Sequence, residues 1–394
     1  MIRKSQVTDI WLRNNIFMLA LADNKIKSRV VLTKNGELKT PFFMPDATRG
    51  FVKFLSNNDL KKSGTNPLVV NTYHLYLNPG MTIIKEAGGI HKFMNYDRPL
   101  LSDSGGFQVF SLIHKNPKMG KITDKEVIFY SPVDGLKHFL TPEKSIQIQF
   151  DLGVDMMVCL DDPPPNNYSK KKIKEAVKRT VDWAERSLRE YKKQLKKRNI
   201  EKNNRPLIFC VVQGGEYVDL RKECVDGLIN VEKKVGIKWD GFGFGARHID
   251  DDGNFMEEVL RKTAKFIPEK ALKFALGIGT PKDIVRCVKM GWDMFDCVIP
   301  TRDGRHGKLF LWNNEEKDIL KKNTIFYEVI NITNKKHKND FDVIDKNCDC
   351  ELCKKYSRAF LYHLFKNKDP NGMRLASLHN LYFYATLMEK LREL

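Results

Sequence analysis

Short apolar runs recur along the chain, separated by stretches of mixed polarity. They are Phe42–Pro45, Leu68–Tyr73, Leu100–Ser104, Met156–Leu160, Leu207–Gln213, Gly241–Ala246, Phe274–Gly279 and Met294–Pro300. Each is too short for a helix and of ordinary strand length. The clearest stretch between them carries Ile173, Val177, Val181, Ala184, Leu188, Tyr191 and Leu195 at steps of three and four, with Lys and Arg on the other faces. That spacing predicts a long amphipathic helix. Strands alternating with helices imply a parallel sheet, and eight of them within about 260 residues suit a closed (β/α)8 barrel better than an open sheet. A further run, Ile16 to Ala22, follows a basic start and resembles a short signal peptide. A strand explains it better, because Val30–Leu32 follows after a polar turn.

A barrel of this kind places its chemistry at the carboxyl ends of the strands. Unusual residues fall there. The second run ends in Asn71-Thr-Tyr-His74, the third in Asp103-Ser-Gly-Gly-Phe-Gln108, the fourth in Asp161-Asp162, the fifth in Gln213-Gly-Gly215 and the seventh in Gly277-Ile-Gly279. The eighth holds Asp296 inside an apolar stretch, followed by Thr301-Arg302-Asp-Gly-Arg305. A carboxylate in that position is either a buried group satisfied by backbone amides or one that faces the barrel mouth. Asp296 and Asp103 together suit a retaining mechanism at an anomeric carbon, one as nucleophile and the other managing the leaving group's proton. On these residues alone, a sugar hydrolase and a base-exchange enzyme stand equal.

Charge and cysteine placement separate the two. The chain has 68 Lys plus Arg against 49 Asp plus Glu, a formal charge of +19, which either favours a polyanionic partner, nucleic acid first, or reflects a lysine-rich proteome in which every protein is basic. The runs Lys170–Lys172, Lys192-Lys193 and Lys196–Arg198 belong to the solvated face of the long helix. Cys159, Cys210, Cys224, Cys287 and Cys297 lie singly in apolar surroundings, as buried thiols in a reducing compartment do. Cys348, Cys350 and Cys353 cluster within six residues, and His379 follows after an apolar helical stretch. Three cysteines and a histidine complete a closed tetrahedral zinc site, structural because no coordination position stays open. No apolar run approaches the roughly 18 residues that cross a bilayer, and a cytoplasmic protein is expected. The division expected is 1–40 as N-terminal strands capping the barrel, 41–310 as the catalytic barrel, and 311–394 as a zinc-binding subdomain with C-terminal helices.

From about Phe17 to its end the chain resembles the queuine/prequeuosine transfer-RNA guanine transglycosylases. The likeness rests on Asn71-Thr-Tyr-His-Leu75, Ser102-Asp-Ser-Gly-Gly-Phe-Gln108, Val212-Gln-Gly-Gly215, Gly277-Ile-Gly-Thr280, Phe295-Asp-Cys-Val-Ile-Pro-Thr-Arg302 and the Cys/His cluster. The resemblance implies exchange of guanine at the anticodon wobble position for a 7-deazaguanine, in queuosine biosynthesis. It makes Asp296 the nucleophile of a covalent ribosyl-enzyme and Asp103 the general acid/base. Asp161 becomes the bidentate acceptor for the guanine N1–H and exocyclic amine, a pairing that one carboxylate satisfies. Gln213 with the Gly245-Ala246 backbone would hold the carbonyl oxygen, Phe107 and Leu276 would sandwich the base, and Asn71 joins the substrate-binding set. Arg302 and Arg305 match the loop that contacts neighbouring nucleotides, and Lys354 and Lys355 are further candidates for phosphate. The partners implied are the anticodon stem-loop of a transfer RNA, the incoming base and a second copy in a homodimer.

Departures from the bacterial pattern gather at the substrate. Asp161-Asp162-Pro163-Pro164 stands where Asp-Glu-Cys-Thr is common, Ala246-Arg247 replaces Gly-Leu, and Asp46 replaces a valine. They bear on the incoming base, for which 7-aminomethyl-7-deazaguanine is the first expectation and queuine the second. A non-catalytic transfer-RNA-binding subunit is disfavoured by the presence of both Asp103 and Asp296. A DNA-modifying relative would share both aspartates, and only the acceptor nucleic acid separates it.

Overall fold

The computed structural model describes residues 10–13, 16–19, 26, 28–165, 167–313, 319–320 and 325–394. Eight parallel strands form one sheet: β1 (Phe42–Pro45), β2 (Leu68–Asn71), β3 (Leu100–Asp103), β4 (Met156–Val158), β5 (Leu207–Val212), β6 (Gly241–Phe244), β7 (Leu272–Ala275) and β8 (Met294–Cys297). Every strand begins within two residues of an apolar run expected from sequence. β8 pairs with β1, setting Asp296 opposite Met44. The ring closes between β1 and β2 through a parallel bridge of Asp46 with Val69 and the Ala47 N–H to Val69 carbonyl bond at 2.7 Å. The fold is a TIM-like barrel.

Alternation along each strand divides two cores. Phe42, Met44, Val69, Leu101, Met156, Val158, Leu207, Phe209, Val211, Leu272, Phe274 and Met294 fill the barrel interior. The intervening residues face the surrounding helices, including Lys170–Lys197, which buries Ile173, Val177, Trp183, Leu188 and Tyr191. Because side chains repeat with period two, the next inward layer at the carboxyl end falls at fixed positions. Asp46, Asn71, Asp103, Gln213, Gly245, Leu276 and Asp296 each stand two residues beyond an inward-facing position. β6 has glycine at its inward positions for a steric reason. A Cβ on Gly241 would lie 2.4 Å from the Phe209 ring, one on Gly243 2.5 Å from Leu276, and one on Gly245 2.3 Å from Gln213 Nε2.

Strands Ile10–Arg13, Ile16–Leu19, Ser28–Thr33 and Gly36–Lys39 form an antiparallel sheet at the opposite end. The end of the expected Ile16–Ala22 strand, residues 20–22, lies outside the described residues. Arg29 ties this sheet to the barrel by donating to the Ala271 carbonyl at 2.7 Å and the Glu269 carbonyl at 2.8 Å, just before β7. A second small sheet, of Gly120–Ile122, Val127–Tyr130 and Lys137–Leu140, sits at the mouth between β3 and the helix Pro142–Leu152. After the barrel come a hairpin, Lys308–Trp312 with Tyr327–Asn331, and three helices, Glu351–Lys355, Arg358–Lys366 and Pro370–Arg392. The last of these returns to the barrel. Tyr384 donates to the Gly279 carbonyl at 2.5 Å, Asn380 to the Pro300 carbonyl at 2.9 Å, and the Tyr384 ring packs 4.7 Å from that of Phe43. No helix among the described residues is long and apolar enough to cross a membrane.

Candidate functional site

A cavity of about 390 Å³ opens at the carboxyl end of the barrel, lined by Asp46, Asp103, Asp161 and Asp296 together with Phe107, Gln213, Gly245, Ala246 and Leu276. Eight sequence-derived positions thus meet around one space, joined by Asp46. Asn71 does not line it. Its side-chain amide stands behind Asp103 and donates to Oδ2 at 3.2 Å, while its carbonyl oxygen caps the short helix Thr72–Leu75. The Ser104 N–H binds the other Asp103 oxygen at 2.9 Å. Asp103 is therefore held from two sides with its carboxyl toward the cavity.

The carboxyls are held at unusual protonation equilibria. Burial, with the Asp46 charge adding to it, pushes Asp103 up to about 6 against the hydrogen bonds from Ser104, Gln108 and Asn71. Burial pushes Asp296 up to about 7, with Asp103 and Asp46 adding repulsion and the Gly277 N–H, donating at 2.9 Å, opposing it. Asp161 also rises to about 7 through burial, opposed by Gln213 and reinforced by Asp103 and Asp162. Acids pushed toward neutrality at a common cleft suit proton transfer near neutral pH.

Asp161 and Gln213 form a buried polar pair, Gln213 Nε2 donating to Asp161 Oδ2 at 2.6 Å. Gln213 Oε1 is buried without a partner among the described residues. The adjacent Asp162 points elsewhere, to an ion pair with Arg179, and its N–H donates to the Thr180 hydroxyl at 3.1 Å. The two aspartates of this run thus have separate surroundings, which sequence alone did not reveal. Phe107 projects from the start of the helix Gly106–Lys115 and is 60% exposed, a large apolar surface open at the rim. Gly105, at φ 82°, passes so close to Tyr73 that a Cβ would lie 2.7 Å away.

Asp46 anchors one oxygen on the Thr48 N–H at 2.7 Å and on the Thr48 hydroxyl. Arg302 and Arg305 lie on the helix Ile299–Arg305 that follows Asp296. Arg302 is exposed and Arg305 half-buried, and neither lines the cavity wall. Burial draws Arg305 down from the usual arginine range, opposed by the nearby Asp46. Phe244, His248, Ile249 and Val298 also line the cavity. Sequence reasoning passed over them. Of these, Phe244 had a legible signal, as the last residue of a strand whose neighbours are glycines.

A second cluster lies apart. Cys348, Cys350, Cys353 and His379 are all buried, with ligand atoms within 4.8 Å of one another. The His379 Nδ1 stands 3.5, 3.5 and 3.3 Å from the three sulfurs. Tetrahedral zinc with ordinary Zn–S and Zn–N bonds sets S···N separations near 3.5 Å, so the donor set fits that ion. His379 Nε2 lies 2.8 Å from the Phe310 carbonyl. Donation there leaves Nδ1 free to ligate, the usual outer contact of a metal-bound histidine.

The family model described as Queuine tRNA-ribosyltransferase matches residues 25–394. A protein of Caldanaerobacter subterraneus subsp. tengcongensis named Queuine tRNA-ribosyltransferase is 39% identical over 372 residues, 94% of this chain and 90% of its own length. Proteins of the same name from Staphylococcus haemolyticus and Francisella tularensis subsp. novicida are each 39% identical, covering 92% and 96% of this chain and 87% and 94% of their own.

Proposed function

The chain belongs to the queuine tRNA-ribosyltransferase family, and on that premise we propose that it replaces guanine at the wobble position of a transfer-RNA anticodon with 7-aminomethyl-7-deazaguanine through a covalent ribosyl-enzyme. Its class is that of the pentosyltransferases, acting on transfer RNA. The observation that carries the finer reading is the meeting of Asp103 and Asp296 at one cavity beside the buried Asp161–Gln213 pair.

In this reading ionised Asp296 attacks C1′ of the ribose. The C1′–N9 bond breaks, its electron pair goes to guanine, and protonated Asp103 supplies the proton. Asp103 then takes the proton of the incoming base, whose nitrogen attacks C1′ and releases Asp296. Asp161 accepts from N1–H and the amine, Gln213 and the Ala246 N–H hold the carbonyl oxygen, and Phe107 and Leu276 cover the two faces. Covering matters because water reaching the ribosyl ester would leave the RNA without a base. Arg302 and Arg305 contact the flanking nucleotides, as planar fork donors suited to bases and phosphates. Cys348, Cys350, Cys353 and His379 would hold one zinc ion, which contributes rigidity and no reaction step. The protein works as a cytoplasmic homodimer.

One observation favours queuine itself as the incoming base. A second cavity, of about 440 Å³, shares Phe107, Pro163, Ala246 and Arg247 with the first, which gives room for a larger 7-substituent. Incubating the protein and one unmodified transfer RNA with radiolabelled guanine, the aminomethyl base or queuine, in parallel, tests both readings. Incorporation of the aminomethyl base supports the first, incorporation of queuine alone supports the second, and no incorporation of any base rejects base exchange.

A further inference from the structure

The helix Val218–Val235 turns Leu220, Cys224, Val225 and Leu228 toward the barrel, and in the same buried face stands a guanidinium, that of Arg221. No carboxylate pairs with it among the described residues. Its three nitrogens donate instead to main-chain carbonyls: Nε to Gly215 at 2.8 Å, Nη1 to Val212 at 3.1 Å and Nη2 to Gly245 at 3.1 Å. The guanidinium lies over the Phe244 ring, 3.7 Å from its centroid. Gly214 permits this approach, since a Cβ there would lie 2.7 Å from Arg221 Cγ. Burial draws the group down to about 9. A buried cation with no counter-charge is costly, and a residue needed only for packing at this place would be apolar.

The three carbonyls belong to the end of β5, the turn that follows it and the segment just after β6, the walls on which Gln213 and Ala246 stand. A trans peptide is planar, with its C=O and N–H pointing oppositely. Holding the Gly245 carbonyl toward Arg221 therefore turns the Ala246 N–H the other way. Ala246 lines the cavity, and its N–H has no hydrogen-bond partner among the described residues. Ala246 also has φ 70°, a left-handed conformation disfavoured for a residue with a Cβ. The carbonyl clamp supplies a reason for that conformation to persist.

Building on base exchange as read above, we propose that Arg221 is a positioning residue that locks the Gly245–Ala246 peptide with its N–H toward the cavity, as a fixed donor for the carbonyl oxygen of the base. Recognition of that oxygen then depends on a side chain that never touches the base. In Arg221→Lys and Arg221→Met the fork is lost, and KM for free guanine rises about tenfold, the worth of roughly one hydrogen bond. The kcat and the affinity for transfer RNA stay near wild type. Guanidinium ion added to Arg221→Ala lowers KM toward the wild-type value. In the wild-type protein, hydrogen exchange at the Ala246 amide slows when guanine saturates the site, a measurement that needs no variant. Unchanged KM in folded variants overturns the proposal, as does reduced kcat at unchanged KM, or an Ala246 amide indifferent to guanine. Wild-type incorporation of radiolabelled guanine into transfer RNA is the control. Its failure rejects base exchange, whereas its success with any of those three outcomes rejects only the role of Arg221.

Discussion

Of the four carboxyls that line the cavity, Asp46 is the one given no part in the reading above. Its charge still counts, because it adds to the burial that raises both Asp103 and Asp296. That reading needs Asp296 ionised and Asp103 protonated, although Asp103, at about 6, loses its proton before Asp296, at about 7; a minor fraction of the pair is reactive, and kcat/KM rises up to about pH 6 and falls above about pH 7. The two groups interact, so the apparent values belong to the pair. Other charges facing the pair are Asp161, and Arg305 beyond Asp46. Asp46→Val removes a negative charge from both groups and lowers both equilibria, moving the whole profile about 0.5 pH toward acid. A profile of kcat/KM from pH 5 to 9 reads this directly, and an unmoved profile would place Asp46 outside the electrostatics of the pair. Asp296→Asn has a different expected signature: no covalent RNA adduct on denaturing gels, with transfer-RNA affinity retained. Full turnover by that variant removes Asp296 from its role. Asp103→Ala slows the chemical step by roughly 10²–10⁴-fold, as for a lost acid/base group.

At the scale of elements, the loop after β6 is where local conformation and site chemistry conflict. Ala246 occupies a left-handed conformation that a Cβ disfavours by roughly 1–2 kcal/mol. Glycine relieves this but adds freedom to the unfolded chain worth roughly 0.4–1 kcal/mol. Ala246→Gly therefore stabilises by about 0.5 kcal/mol net, measured by urea unfolding, and a destabilised variant would mean the alanine methyl contributes more packing than strain. The same element shows how far sequence carried. Eight strands were legible because each apolar run is bounded by polar or small residues, and the polar rim was legible because Asp103, Asp161 and Gln213 end such runs; the structure adds the two-residue alternation that sets Asp103 above Leu101 and Asp296 above Met294. The sheet of residues 120–140 was not legible. Its strands are only three and four residues long, and its outer face exposes Tyr130 and Phe139, so no single face reads as buried. Asn71 was placed among substrate contacts, but its position behind Asp103 depends on a side-chain direction that strand parity does not fix. Arg221 left a trace, a charged residue amid Leu220, Cys224 and Val225 on a helix face, whose meaning appears only when carbonyls from two other strands arrive around it.

Across the whole molecule, the Cys348, Cys350, Cys353 and His379 cluster and the carboxyls at the barrel mouth are joined by one helix. Pro370–Arg392 carries His379 near its middle, and the residues beside it reach the barrel just beyond Asp296. Ser377 donates to the Thr301 carbonyl at 3.3 Å, Asn380 to those of Pro300 and Lys308 at 2.9 Å, and Gly304 packs so tightly on Ser377 that a Cβ would lie 2.8 Å from its backbone. The segment from Asp296 to Arg305 is thus shaped by contacts on the helix that carries His379. Zinc bound to such a donor set contributes folding free energy outright, and its removal leaves three buried cysteines without their common ligand. Chelation with 1,10-phenanthroline is expected to release one zinc per chain, lower the melting temperature and abolish base exchange. Most secondary structure should survive below the new melting point, because the barrel core of Phe42, Met44, Leu101, Phe209 and Met294 lies apart from the cluster of Leu309, Ile344, Leu352 and Leu361 around the cysteines. Restored zinc should return both stability and exchange. Elemental analysis with circular dichroism and the guanine-incorporation assay on the same sample decides the matter: full exchange after verified metal loss would mean that the helix holds the Asp296 segment without its anchor.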